Sequence, residues 1–297
     1  MSIDESLINQ LPNDVLQEIF FRTPGQDLMK KCLIICKKWN FLIDNESFWI
    51  EKCLRDKTMN QEKLKILRNL EDIKIEAKQL YFNYESLFEK NFLKNPCGDE
   101  KFKYWCFCRQ MRVNHLEEFN TEEINNIIKL CKDSLNTANK DASVLNIWQI
   151  QRGDDDQGTS LCFNKENMPC NKFATSYILA EKMQLVDLYK EFFLGKDLHK
   201  FKAKLEISEY YAPRFDCGCK YNLCVYLIDD NFKLVDYYKF DDEFAQWSEN
   251  TWKQTTHLFD IKEQIRYILF YHSGVDTQFW AGFYGSKMTN GSIRIIL

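Results

Sequence analysis

Three short apolar runs within residues 7–54 constrain this chain more than any other feature. Pro12 presets the backbone for a first helical turn beside the cap candidates Asn13 and Asp14, and Val15, Leu16, Ile19 and Phe20 follow at helical spacing. Pro24-Gly25 punctuates a second helix with Leu28, Cys32 and Ile35 on one face, which Trp39, Leu42 and Ile43 continue after a bend. A third helix begins near Asp44 and carries Phe48, Trp49 and Cys53. Three helices of this size carry apolar residues on more faces than they can bury against one another. A module of this kind needs a partner surface.

The rest of the chain is large enough to be a separate body. Its 297 residues, 45% of them hydrophobic, allow one or two sizeable cores beside the helical module. A net charge of −4 supplies no broad basic field for phosphate backbones or anionic lipid, so nucleic acid is not an expected partner. Asp4 and Glu5 near the start argue against a secretory leader, and no run of eighteen apolar residues argues for membrane insertion. The expected location is cytoplasmic, with the nucleus as an alternative. In that compartment the twelve cysteines read as reduced, buried side chains, and Asn45-Glu46-Ser47 and Asn290-Gly291-Ser292 stay unglycosylated. Cys106/Cys108 and Cys217/Cys219 have one intervening residue where a structural zinc site uses two to four, so no metal and no cofactor is expected.

The string Leu11-Pro12-Asn13-Asp14-Val15-Leu16, with Cys32 to Asn40 and the Phe48-Trp49 pair behind it, resembles an F-box. That resemblance implies docking on the Skp adaptor of a cullin/RING (SCF) ubiquitin ligase. The implied contact residues are Leu11, Pro12, Leu16, Ile19, Phe20, Leu28, Cys36, Trp39, Phe48 and Trp49. Behind the module, Ile66, Leu70, Ile73, Ala77, Tyr81, Tyr84 and Phe88 recur at steps of four and three, predicting a helical linker over 55–94. It serves either as a spacer or as a helix packed on the next domain.

From about Asn146 the apolar period becomes two, as in Tyr221/Leu223/Val225/Leu227 and Tyr267/Leu269/Tyr271, with turn candidates at Asp229-Asp230-Asn231 and Ser273-Gly274. The predicted fold class is α+β and multidomain: a helical F-box, a helical linker and a C-terminal antiparallel β-sandwich, jelly-roll-like, over 95–297. Asn95-Pro96-Cys97-Gly98 with Trp105-Cys106, Leu185 to Leu188, Tyr210 to Cys219, and Phe279 to Gly285 with Thr289-Asn290 resemble the F-box-associated domain. Compact members of that family have no counterpart to residues 108–145, where Ile124, Ile127, Ile128 and Cys131 predict an inserted amphipathic helix.

The resemblance implies that the sandwich's end loops hold the chitobiose core of high-mannose N-glycans on misfolded glycoproteins, near the endoplasmic reticulum. Trp280 is the central candidate, because an indole offers a flat apolar face to a sugar ring and an N–H donor beside it. Phe279 adds apolar area, Asp216 is an acceptor for hydroxyl protons, and Phe173 is a candidate wall. Glycan-binding members carry Tyr before that Trp and Lys after it, where this chain has Phe279 and Ala281. Each missing polar contact removes about 1 kcal/mol of net binding. A protein surface as ligand, or a ligase-independent lectin or chaperone-like binder, are the alternatives. No catalytic constellation competes: His115, His199, His257 and His272 lie in no nucleophile motif, and Asp154-Asp155-Asp156 cannot converge as an opposed acid–base pair.

Overall fold

The structure is a computed structural model and describes residues 7–58, 60–68, 76–84, 90–107, 113–134, 146–153, 159, 162–163, 169–192, 195–201, 203–261 and 263–296. It divides into two compact units between Lys90 and Asn91.

The first unit is helical. After a 3-10 turn at Leu7–Gln10 come α1 (Asn13–Arg22), α2 (Gly25–Asp27) running into a π-helical turn at Leu28–Cys32, α3 (Lys37–Ile43) and α4 (Glu46–Arg55). The expected second helix is broken rather than bent, because Cys36 is fully extended and α3 restarts after it. Asn45 caps α4 by accepting from Ser47 N at 2.8 Å, which gives one glycosylation-like triplet a structural use. Leu16, Phe20, Leu28, Trp39, Leu42, Ile43, Phe48 and Trp49 form the interior, with Phe20 edge-on to Trp39 at 4.9 Å.

The linker pattern resolves into α5 (Gln61–Arg68) and α6 (Ala77–Tyr84), with Glu76 non-helical between them. Leu70, Ile73 and Phe88 lie outside the described residues. α6 turns back on α4. Ala77 N donates to the Glu46 carboxylate at 3.1 Å, and Tyr81 packs on Trp49 at 5.2 Å while its hydroxyl donates to Asp56 at 2.6 Å. A Cβ at Gly25 would stand 2.2 Å from the Tyr81 ring, so glycine alone admits this approach. The apolar face read as a spacer's seam therefore serves, over α6, to complete the helical unit's own core.

The second unit is a sandwich of two five-stranded antiparallel sheets. Its strands are β1 (Cys106–Phe107), β2 (Trp148–Gln151), β3 (Lys172–Thr175), β4 (Ala180–Asp187), β5 (Lys204–Ala212), β6 (Cys219–Ile228), β7 (Leu234–Phe244), β8 (Lys253–Asp260), β9 (Tyr267–Asp276) and β10 (Lys287–Ile296). One sheet runs β1-β4-β9-β6-β7 and the other β2-β3-β10-β5-β8. Connections β3–β4, β5–β6, β7–β8 and β9–β10 cross between sheets at one end, as the pairings Ala180 with Gly274, Cys219 with Asp276 and Lys287 with Ala212 show.

β9 is buried almost end to end, so side chains on both of its faces are covered. Its outer cover is the insertion. Helix α7 (Thr121–Ser134) buries Ile124, Ile127, Ile128 and Cys131 against Met183, Cys224, Tyr226, Leu269 and Tyr271 of the β4-β9-β6 surface. Asn120 accepts from Glu122 N and Glu123 N at 2.9 and 3.0 Å, and Asn120 N donates back to Glu123 at 2.8 Å. This reciprocal cap fixes where the helix starts.

Between the sheets lies a polar network that the sequence pattern did not announce. His272 Nδ1 is 2.8 Å from Glu209, Tyr221 donates to the same carboxylate at 2.7 Å, and the His272 ring stacks on Trp105 at 4.9 Å. Burial lowers the His272 pKa to about 4 against the opposing pull of Glu209. Lys182 is wholly buried, with Nζ 3.3 Å from the Phe173 ring centroid and 3.4 Å from that of Trp105. Burial also drives its ammonium well below the ordinary range. Sealed from solvent, these groups specify the core rather than meet a substrate.

Candidate binding sites of the two units

On the helical unit, the residues implied as adaptor contacts divide by burial. Leu16, Phe20, Leu28, Trp39, Phe48 and Trp49 are buried in the unit's own core, where they shape the module. Leu11 and Cys36 are half-buried, Pro12 is exposed, and Ile19 stands outward. The outward apolar set is Val15 and Ile19, four apart on α1, Ile34 at 80% and Ile35 at 52% exposure in the turn before α3, and Phe41 at 72% on α3, of which Ile34 and Phe41 stand in no predicted pattern. The missed signal is local. Ile34-Ile35 falls between two helices, where a side chain has no helical face to hide on.

On the sandwich, the site is built from the loops at one end. Asp276 closes β9, and its carboxylate accepts from Gln278 N at 3.0 Å and Phe279 N at 2.6 Å. Burial raises the Asp276 pKa, opposed by these backbone donors. Phe279 sits at φ 58°, an uncommon conformation for a bulky residue, and its ring is 78% exposed. Gly282 at φ +135° brings the chain back, and Trp280 lies 6.0 Å from Tyr284, edge to face, and 37% exposed.

The neighbouring loops are tied to this one by backbone bonds. Thr277 N donates to Gly218 O at 2.9 Å, Asp276 N to Ser176 O at 3.0 Å and Gly285 N to Thr175 O at 2.9 Å. In the 213–218 loop, Arg214 lies 4.5 Å above the Tyr284 ring and pairs with Asp216 at 2.6 Å. A Cβ at Gly218 would come within 2.5 Å of Thr277 Oγ1, so the approach of these loops also requires glycine. Tyr177, Phe215 and Trp247 are exposed on the adjoining loops, with Phe215 and Trp247 6.3 Å apart. The result is an aromatic rim at one end of the sandwich.

Of the predicted site residues, the structure brings Trp280, Phe279 and Asp216 to this end, the last with one carboxylate oxygen committed to Arg214. Phe173 is corrected. It is 0% exposed in the middle of β3, packed between Phe102, Trp105 and Trp148, and cannot form a wall. Tyr177, four residues on and past the strand end, is the exposed aromatic of that segment. The Thr175-Ser176 break in the strand pattern was its signal.

Cys217 and Cys219 are buried thiols whose pKa values burial raises, to about 11 for Cys217, and Cys108 and Asp154 to Asp156 lie outside the described residues. Among the described residues, the cluster with metal-ligand spacing is His115, Glu117 and Glu118 on the surface, and Glu117 is already paired with Lys239.

Sequence comparison agrees with this division. The family model described as F-box-like matches residues 8–55, and that described as F-box associated region matches residues 84–295. F-box only protein 6 of Bos taurus is 30% identical over 290 residues, covering 97% of this chain and 92% of that protein. F-box only protein 44 of Homo sapiens is 29% identical over 290 residues, covering 97% and 96%. Among solved structures, TmCBM61 in complex with beta-1,4-galactotriose is 13% identical, covers 70% of this chain and 98% of its own, and superposes at a TM-score of 0.30, too low to bear on function. With its helical module in front and its sandwich behind, the chain belongs to the family of F-box proteins that carry the F-box associated region.

Proposed function

We propose that this chain is the substrate-recognition subunit of an SCF-type ubiquitin ligase, itself non-catalytic, with residues 7–54 engaging the Skp adaptor, 55–94 linking and 95–297 capturing the client. The pairing of an F-box-like module with an F-box associated region supports the receptor role. The observation that carries adaptor docking is the outward set Val15, Ile19, Ile34, Ile35 and Phe41. Ile34 and Phe41, the most exposed of them, contribute up to about 1.5–3 kcal/mol each when fully buried on a partner, and the less exposed Val15, Ile19 and Ile35 contribute less. Co-purification with the Skp adaptor tests it. Full retention by the Ile34→Asp/Phe41→Asp double variant refutes this face.

For the client, the proposed ligand is the chitobiose core of N-glycans on misfolded glycoproteins, taken up in the cytoplasm near the endoplasmic reticulum. The supporting observation is the rim of Trp280, Phe279 and Tyr177 with Asp216 beside it, which pairs flat apolar faces with an acceptor. A high-mannose glycan array read with wild type and Trp280→Ala checks this. A wild-type protein that gives no chitobiose signal rejects the sugar. One observation favours a second reading, in which the same rim binds a protein surface: Ala281 supplies no donor beside Trp280, while Phe215 and Trp247 extend the apolar area.

A further inference from the structure

Three cysteines, two of them far from the third in sequence, meet around Asn290 on the sandwich. Cys162 and Cys170 face each other across a short antiparallel pairing, with Cys170 N donating to Cys162 O at 2.8 Å and Phe163 bridged to Pro169 beside them. Their sulfurs share one donor: Asn290 Nδ2 lies 3.1 Å from Cys170 Sγ and 3.8 Å from Cys162 Sγ. Cys97 Sγ donates to the other end of that amide, Asn290 Oδ1, at 3.1 Å. A hydrogen-bonded antiparallel pair places its Cα atoms about 5.5 Å apart, inside the range a disulfide accepts. Pro96, Phe163 and Asn290, neighbours of these thiols, line an open cavity of about 320 Å³ through which a small oxidant can arrive.

We propose that Cys162 and Cys170 are an oxidant-sensitive dithiol, closed to a disulfide by hydrogen peroxide and reopened by small thiols. The hydrogen bonds set the order of events. Asn290 Nδ2 donates toward both sulfurs of the pair, and hydrogen bonding with Cys170 holds the Cys162 thiol below its ordinary range, which makes Cys162 the attacking sulfur. Cys162 sulfur attacks one peroxide oxygen, the O–O bond breaks, and one water leaves a sulfenic acid behind. Cys170 sulfur then attacks Cys162 sulfur. The S–S bond forms, the S–O bond breaks, and hydroxide departs with the Cys170 proton as a second water. Two thiols lose two hydrogens and one peroxide becomes two waters, so nothing else is consumed.

The test uses the full chain exposed to hydrogen peroxide, blocked with N-ethylmaleimide and digested with trypsin without reduction. Cleavage after Lys165 separates the two cysteines, so a disulfide appears as a pair of linked peptides two hydrogens lighter than their sum. The expected result is a Cys162–Cys170 link that dithiothreitol removes, retained in Cys97→Ser and lost in Cys162→Ser and Cys170→Ser. Wild-type mapping decides the matter even where a variant folds poorly. A Cys97–Cys170 link in place of the expected one overturns the proposal, as does sulfinic acid on a single cysteine or unchanged thiols.

Discussion

The chain carries two amphipathic surfaces that look alike in sequence and end differently. The outer face of the β4-β9-β6 surface is as apolar as a core, and α7 covers it with Ile124, Ile127, Ile128 and Cys131. The α1–α3 region of the helical unit presents Val15, Ile19, Ile34, Ile35 and Phe41, and these stand exposed. One surface carries its own lid within the chain. The other is what an adaptor would complete, and the contrast shows that apolarity alone does not tell a core from an interface.

The sharpest way to break this contrast is Ile127→Asp, which places a carboxylate in the cluster under α7. An unpaired buried charge there costs more than about 4 kcal/mol, so the sandwich loses its cooperative melting transition. An unchanged melting temperature refutes the covering role. Phe173→Ala comes next, at about 3–5 kcal/mol of stability, because it empties the space between Trp105 and Trp148. Its melting temperature should fall steeply while Tyr177→Ala leaves melting intact and weakens client binding.

Acidification follows. The His272 pKa is about 4 in the fold against an ordinary 6.5, so the unfolded chain binds the extra proton between those values. Stability from this group is full above pH 6.5 and is lost as pH falls toward 4, at about 1.4 kcal/mol per unit. A melting series across that window should slope upward with pH, and His272→Gln should flatten it. The smallest expected effect on stability belongs to Ile34→Asp and Phe41→Asp: within about 0.5 kcal/mol in melting, yet a tenfold or greater loss of adaptor binding. A variant that melts early instead shows these side chains to be part of the fold.

Much of the fold was legible because periodicity reports burial. Leu16 and Phe20 mark the inner face of α1, Ile124, Ile127 and Ile128 that of α7, and the alternation in Tyr221 to Leu227 marks β6. Motif position, though, does not separate residues that build a module from residues it presents. Trp39 and Trp49 stand at motif positions that imply contact and lie in the core of the free chain, whereas Ile34 lies in a turn where no period operates. The same limit put the candidate wall at Phe173, which is buried inside β3, while the exposed aromatic of that segment is Tyr177 beyond its end. The Glu209–His272–Tyr221 network was illegible because Glu209 comes from β5 of one sheet and Tyr221 and His272 from β6 and β9 of the other, which meet only when the sheets pack.

The carboxylate of Asp276 has a consequence beyond closing a turn. By gripping two successive amides it holds Phe279 in a left-handed backbone state that the loop left alone would rarely visit. The rings beside it therefore stand ready before any ligand arrives, and capture need not spend free energy on freezing a wandering loop. Replacing Asp276 by alanine would weaken association mainly by slackening the platform, with every aromatic contact surface chemically intact.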